Sequence, residues 1–241
     1  METSPLEKLA IVIPAFNEEK SIAAVINDIH LALGQVALHA VIVVVNDCSI
    51  DKTKEIINNC NCIALNLPVN LGIGGAVQTG IKWAWQNGFD YVMQVDGDGQ
   101  HPAQEIPKLI SALQNDSADV VIGSRFIDKK GFQSSFARRI GINYFKYINK
   151  IIVGKSISDS TSGFRLINKK AMQVAVEYYP DEYPEPEAII LYSIHKLKIH
   201  EVAVVMKARQ GGVSSINAVS SIYYMFKVSL AILFTYIRFK R

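Results

Sequence analysis

The chain has 241 residues, 49% of them hydrophobic, with 25 Lys and Arg against 22 Asp and Glu and a formal charge of +3. That length suits one well-buried catalytic core with an extension, and it exceeds a small binding module. The basic residues are spread along the chain rather than gathered into a stripe that could follow a phosphate backbone, so nucleic acid is not an expected partner.

The opening METSPLEK carries no cationic head before an apolar run, so no secretory signal is expected and the cytoplasm is the expected compartment. Leu9 to Ile13 is an apolar run that ends at Pro14, after which Ile22, Val25, Ile26, Ile29 and Leu33 recur at helical spacing. Ala40 to Val45 is nearly all β-branched, as a strand covered on both faces requires. It breaks at Asn46 and Asp47 before a helical stretch through Ile57. Cys62 to Leu65, Tyr91 to Val95 and Asp119 to Ile122 read as three further strands, separated by helices over Gly72 to Trp85 and Ile106 to Leu113. Cys48, Cys60 and Cys62 are odd in number and lack metal-ligand spacing, which points to reduced thiols. The alternation predicts an α/β fold with a mostly parallel sheet over about the first 130 residues. Ligands of such sheets bind beyond the carboxyl ends of the strands, so the polar clusters after each run should meet in one crevice.

Beyond Arg125 the pattern loosens. Phe132 to Val153 reads as a long helical region carrying Arg138 and Arg139, followed by a polar stretch, Ser156 to Ser162, and a mixed segment to Met206. Pro180 to Pro186 reads as a rigid acidic loop that cannot lie inside a helix. Ile222 to Phe239 is apolar and aromatic with a basic end. It falls short of the about 20 mainly apolar residues a bilayer crossing needs, and it suits a helix lying in a membrane interface or, equally, a dimer or core helix. The expected division is a catalytic domain over residues 1–215 and a C-terminal helical extension over 216–241.

After the fourth strand, Asp96-Gly97-Asp98 sets two carboxylates on a glycine-containing loop from which both can reach one ion. Magnesium and manganese favour a few carboxylate oxygens together with those of a substrate diphosphate. Asp and Gly are also ordinary turn formers, and the same pair could serve only a turn. The glycines of Asn70 to Gly80 do not make a dinucleotide loop, because Val77 stands where the third glycine belongs. His101 reads as a residue at a helix start beside Pro102 rather than a ligand.

Six blocks in order resemble the family 2 glycosyltransferases of the GT-A fold, in the branch related to dolichyl-phosphate mannose and polyprenyl-phosphate sugar synthases. They are Val12 to Glu19, Asn46 to Thr53, Asn70 to Ala76, Asp96 to Pro102, Gly123 to Arg125 and Asp159 to Arg165, and they span about the first 165 residues. The resemblance implies an inverting, metal-dependent enzyme using a GDP- or UDP-linked sugar donor and a lipid-phosphate or glycan acceptor, with possible peripheral contact with the cytoplasmic face of a membrane. It implies that Pro14, Ala15, Phe16, Glu18 and Asp47 hold the nucleoside, Asp96 binds donor, and Asp96, Asp98 and Gln100 hold Mg2+ or Mn2+. Asp98, Arg125, Glu185, Glu187 and Asp159 are the catalytic candidates, and Arg125, Arg138 or Arg139 and Arg209 are the phosphate-binding cations.

Each role has a plainer counterpart: Glu18 could answer the dipole of the following helix, and Phe16 could be core. The sequence departs from the common Asp-Asp-Gly-Ser pattern with Asn46 and Cys48. The departure is expected to touch donor preference, and Cys48 is expected to have a backbone that avoids positive φ. Two alternatives stand beside this reading. A nucleotidyltransferase would share the sheet and metal loop but usually carries a Lys-containing glycine loop, which Pro14 to Glu19 lacks. The other is a catalytically degenerate nucleotide-sugar-binding partner protein.

Overall fold

The structure is a computed structural model that describes residues 7–34, 38–115, 117–128, 144, 146–151, 154, 156–181, 184–207 and 218–239. Arg138, Arg139 and Arg209 lie outside the described residues.

A seven-stranded sheet has the order β3-β2-β1-β4-β6-β5-β7. Its strands are β1 (Lys8–Ala15), β2 (His39–Asn46), β3 (Ile63–Asn66), β4 (Tyr91–Gln94), β5 (Val120–Ser124), β6 (Arg165–Asn168) and β7 (Ile199–Ala203). All pairings are parallel except those of β6, which runs antiparallel between β4 and β5. Strand β6, helix α5 (Lys169–Glu177) and α6 (Pro184–Ile194) fall in the segment that sequence periodicity left unresolved.

The apolar runs are continuous because both faces of the sheet are covered. From β1, Leu9, Ile11 and Ile13 enter one core with helices α1 (Ile22–Leu33) and α4 (Ile106–Asn115). Ala10 and Val12 enter the other core with α3 (Gly72–Gln86), α5 and α6. Helix α3 sits tightly on the sheet through Gly80, where an added Cβ would stand 2.3 Å from Val12 Cγ1. At the other end of α3, an added Cβ on Gly74 would meet the backbone of Pro180 and Asp181 within 2.4 Å. Gly74 and Gly80 thus serve packing, as the failed dinucleotide spacing suggested.

The Pro180 to Pro186 segment is not all loop. Helix α6 begins at Pro184, so Pro184 and Pro186 occupy its first turn, where a missing N–H costs nothing and the fixed φ suits the helix. The C-terminal helix α7 (Ala218–Phe239) crosses α6, burying Val228 and Ile232 against Ile190.

Candidate functional site

At the carboxyl ends of β1 and β2 the two loops brace each other. The Glu18 amide donates to Thr53 Oγ1 (2.8 Å), the Lys52 amide to Glu19 Oε2 (3.0 Å) and the Ile50 amide to Asn17 Oδ1 (2.9 Å). Asp51 opens α2 (Thr53–Asn58) by accepting from the Thr53 amide and hydroxyl, and from the Glu19 amide. Burial pushes its carboxyl up, but these donors outweigh burial and hold it below the ordinary value.

Asp47 is buried at the centre of this frame. Its amide donates to the Ala15 carbonyl (2.9 Å), and its Oδ1 accepts from the Leu71 amide (2.7 Å) at the entrance to α3. One residue therefore ties together the loops after β1, β2 and β3. The Glu18 side chain accepts from the Ser21 hydroxyl at 2.9 Å, and its carbonyl receives the first N–H groups of α1, so it does serve the helix start. Phe16 is 46% exposed and is not core; Pro14 is partly exposed and Ala15 buried beside it.

Asn46 is buried, accepts from the Ser49 amide at 3.1 Å and donates to Asn66 Oδ1 at 2.8 Å. An aspartate could accept in the same way but could not donate to Asn66. The expectation for Cys48 fails: it adopts φ 60°. The turn closed by Asn46 demands the left-handed region at this position, where an L-residue pays about 1–2 kcal/mol and glycine does not.

The Asp96-Gly97-Asp98 loop leaves β4 beside these frames; an added Cβ on Gly97 would stand 3.3 Å from the Pro14 carbonyl. Asp98 is buried and its Oδ1 accepts from the Gln100 amide at 2.9 Å, while Gly99 supplies the positive φ (77°) of the turn. The Asp96 side chain is 28% exposed. Its Oδ1 lies 3.3 Å from Gln94 Nε2, and its amide donates to His101 Nδ1 at 3.0 Å. His101 is thus no mere helix-start residue: its ring wraps Asp96, a role that spacing alone does not signal.

Arg125 leaves β5 directly, as the sequence indicated. Its Nε and Nη2 form a two-pronged pair with Asp159 Oδ2 and Oδ1, both 2.7 Å, and Nη2 also reaches Thr161 Oγ1 at 3.1 Å. Burial pulls the Arg125 pKa down, but the Asp159 pair, with the charges of Asp96 and Glu185, raises it above its ordinary value. Asp159 is fully buried, with both oxygens on Arg125, and its amide donates to Glu201 Oε1 (2.9 Å). That arrangement holds an arginine rather than offering a base to a substrate.

Arg165, also buried, donates from Nε to the Ser162 carbonyl (2.7 Å) and from Nη2 to the Ser160 carbonyl (2.9 Å), while Nη1 has no hydrogen-bond partner among the described residues. In the sequence Arg165 stands out only as the end of the Asp159 to Arg165 block. Its cationic charge opposes the proton affinity of Glu185, whose carboxyl burial pushes up, with Asp96 adding to the rise. The two α6 glutamates diverge, as positions two apart on a helix must. Glu185 belongs to the cluster of Asp96, Arg125 and Arg165, whereas Glu187 is buried and accepts from Thr235 Oγ1 of α7 at 3.1 Å.

A cavity of about 530 Å3 lies at the opposite end of the sheet, where Asp90 and Asp119 stand 3.9 Å from Lys169 and Lys170. It lies at the amino ends of β4 and β5, away from the crevice in which sheets of this class bind ligands.

Residues 10–174 match the sequence pattern of the family described as glycosyl transferase family 2. A UDP-N-acetylglucosamine–dolichyl-phosphate N-acetylglucosaminyltransferase of Methanococcus voltae is 33% identical over 214 residues, 80% of this chain and 83% of that protein. A dolichol-phosphate mannosyltransferase of Pyrococcus furiosus is 29% identical over 90% of this chain and 62% of its own length. Among solved structures, glucosyl-3-phosphoglycerate synthase of Mycobacterium tuberculosis, in complex with Mn2+, UDP-glucose and phosphoglyceric acid, superposes with a TM-score of 0.72. The match covers 95% of this chain and 80% of that one at 17% identity, a likeness of fold. The chain belongs to glycosyl transferase family 2 and is a glycosyltransferase built on the GT-A fold.

Proposed function

We propose that the chain transfers a sugar from a GDP- or UDP-linked donor to the phosphate of a polyprenyl-type lipid, with inversion at the anomeric carbon and with Mg2+ or Mn2+ at the donor diphosphate. The observation that carries this reading is that one block, Asp159 to Arg165, serves both groups: Asp159 pins the Arg125 guanidinium at 2.7 Å, and an added Cβ on Gly163 would stand 3.1 Å from Asp96 Oδ1. The named relatives that act on polyprenyl-type phosphates, among them a polyprenol monophosphomannose synthase of Mycolicibacterium smegmatis, support the acceptor class.

The residues fit such an ion. Asp96 and Asp98 are two hard carboxylates on one loop, and among the described residues no group of three or more His, Cys, Asp or Glu side chains could hold a metal unaided. A magnesium-like ion bound by one or two carboxylates completes its shell with substrate phosphates and water. Asp96 and Asp98, with the Gln100 side chain, would hold it, and when bound it neutralises charge on the leaving diphosphate. Arg125, fixed by its fork to Asp159, would stabilise the same developing charge. Asp47 keeps Oδ2 for a ring N–H of the base, with Phe16 covering the base face and Glu18 placing the loop.

A lipid phosphate is already ionised and attacks without a base. The raised carboxyl of Glu185 favours a second reading, in which a glycan hydroxyl is the acceptor and Glu185 removes its proton. Glu185→Gln separates the two. Under the lipid-phosphate reading, turnover measured with radiolabelled donor and a short polyprenyl phosphate stays within about threefold. Turnover of the wild type with a glycan acceptor in place of the lipid phosphate, falling about 100-fold or more in the variant, the usual worth of a general base, transfers the assignment to the hydroxyl reading.

No helix among the described residues is long and apolar enough to cross a membrane. Helix α7 nevertheless exposes Phe226, Leu230, Leu233, Phe234 and Ile237 on one side, with Tyr147 and Ile151 exposed on the neighbouring helical segment 146–151. Tyr144 and Ser229 join the two through a 2.9 Å hydroxyl contact, and Lys150 and Arg238 are exposed on them. We read residues 1–215 as the catalytic domain and the C-terminal helix as an interfacial platform at the cytoplasmic face, close to a lipid acceptor. Phe234→Glu with Ile237→Glu should abolish flotation with anionic vesicles while leaving the melting temperature nearly unchanged. Undiminished flotation would remove the platform from the account.

A further inference from the structure

We propose that His101 is the positioning residue that presents Asp96 to the metal-bound diphosphate, closing a two-point clamp on that aspartate; this rests on the metal reading above. The clamp uses both ring nitrogens. Nδ1 accepts the Asp96 amide at 3.0 Å, so the ring proton sits on Nε2, which lies 3.5 Å from Asp96 Oδ2. The same residue that donates to the ring through its backbone thereby faces it through its carboxylate.

The ring itself cannot turn. Its side chain is 4% exposed and stacks on the buried Phe164 with centroids 5.0 Å apart and planes 19° from parallel. The other carboxylate oxygen is fixed from the opposite side, where Gln94 Nε2 stands 3.3 Å from Oδ1. Behind both lies Gly163: a Cβ there would fall 2.7 Å from Gln94 Nε2 and 3.1 Å from Asp96 Oδ1. The Asp159 to Arg165 block therefore serves the metal loop twice, by giving His101 a platform in Phe164 and by leaving room for Asp96 at Gly163. A carboxylate that needs no reorganisation when the ion arrives binds it more tightly, and outer partners of this kind are worth about 10–100-fold in metal affinity.

The test measures binding of UDP and of GDP by calorimetry, with and without Mn2+, to the full chain and to two variants. His101→Phe keeps the stack on Phe164 and removes both nitrogens; His101→Asn keeps an acceptor near the Nδ1 position and loses reach to Oδ2. The clamp predicts that His101→Phe weakens the Mn2+-dependent affinity about 10–100-fold while metal-free nucleotide binding is unchanged, with His101→Asn in between. Unchanged Mn2+-dependent affinity in either variant overturns the proposal, as does an equal loss with and without metal, which would mark a purely structural histidine. Should the wild type bind nucleotide with no gain from Mn2+, the metal reading falls and the clamp falls with it.

Discussion

Asp159→Ala is expected to lower the unfolding free energy by about 3–5 kcal/mol, the cost of leaving one member of a buried ion pair unpaired. Asp159 is fully buried and the Arg125 side chain is 12% exposed, so little water can replace the lost carboxylate. Three donors of Arg125 converge on Asp159, its own amide at 3.1 Å and the two guanidinium nitrogens at 2.7 Å. The pair also closes the sheet: Arg125 extends β5, and Asp159 begins the turn that leads into β6. Urea denaturation of the variant measures the effect, and a loss below about 1 kcal/mol, the range of an exposed pair, would show that the fork contributes little. Asp159→Asn should fall between wild type and alanine, because an amide oxygen still accepts while the charge is gone.

Asp98→Ala is the second large effect. Asp98, the carboxylate proposed above as a metal ligand, is buried and oriented by the Gln100 amide. Loss of a direct ligand should exceed the about 10–100-fold that outer partners are worth. Metal-dependent binding of the donor nucleotide is therefore expected to disappear, and turnover to fall by more than about 100-fold, while metal-free binding through the Asp47 frame persists. Calorimetry with UDP and GDP at saturating Mn2+ reads this directly; retained metal dependence would place the ion elsewhere.

Much of this arrangement is legible in the sequence because its signals are local. The β-branched run of β2 and the helical spacing in α1 are set by near neighbours in the chain, and the predicted bounds agree with the structure within a few residues. Beyond Arg125 the deciding contacts are long-range. Strand β6 has four residues and opens with a buried arginine, so nothing in Arg165 to Asn168 announces a strand between β4 and β5. The prolines of the acidic segment argue against a helix interior but are equally at home in a first turn, and α6 takes the second option.

The site divides in the same way. The residues proposed for the metal and the diphosphate, Asp96, Asp98 and Arg125, are legible from strand-end position and chemistry. Two assignments change in three dimensions: Asp159 is committed to Arg125, and Glu187 faces α7 rather than the crevice, while the exposure of Phe16 removes only its core alternative. Cys48 shows that a turn can impose a left-handed backbone on a residue that no propensity would select. The work of His101 was invisible because it depends on Phe164 and Gly163, more than sixty positions away.

A metal-dependent nucleotide-sugar transferase is tested by offering UDP- and GDP-linked sugars with a polyprenyl phosphate, with and without Mg2+ or Mn2+, and following release of the nucleoside diphosphate. Turnover is expected with one nucleotide class, dependent on the ion and on the lipid phosphate, and lost on chelation. Release that is unaffected by chelation, or none with any donor under any metal, would rule out such an enzyme.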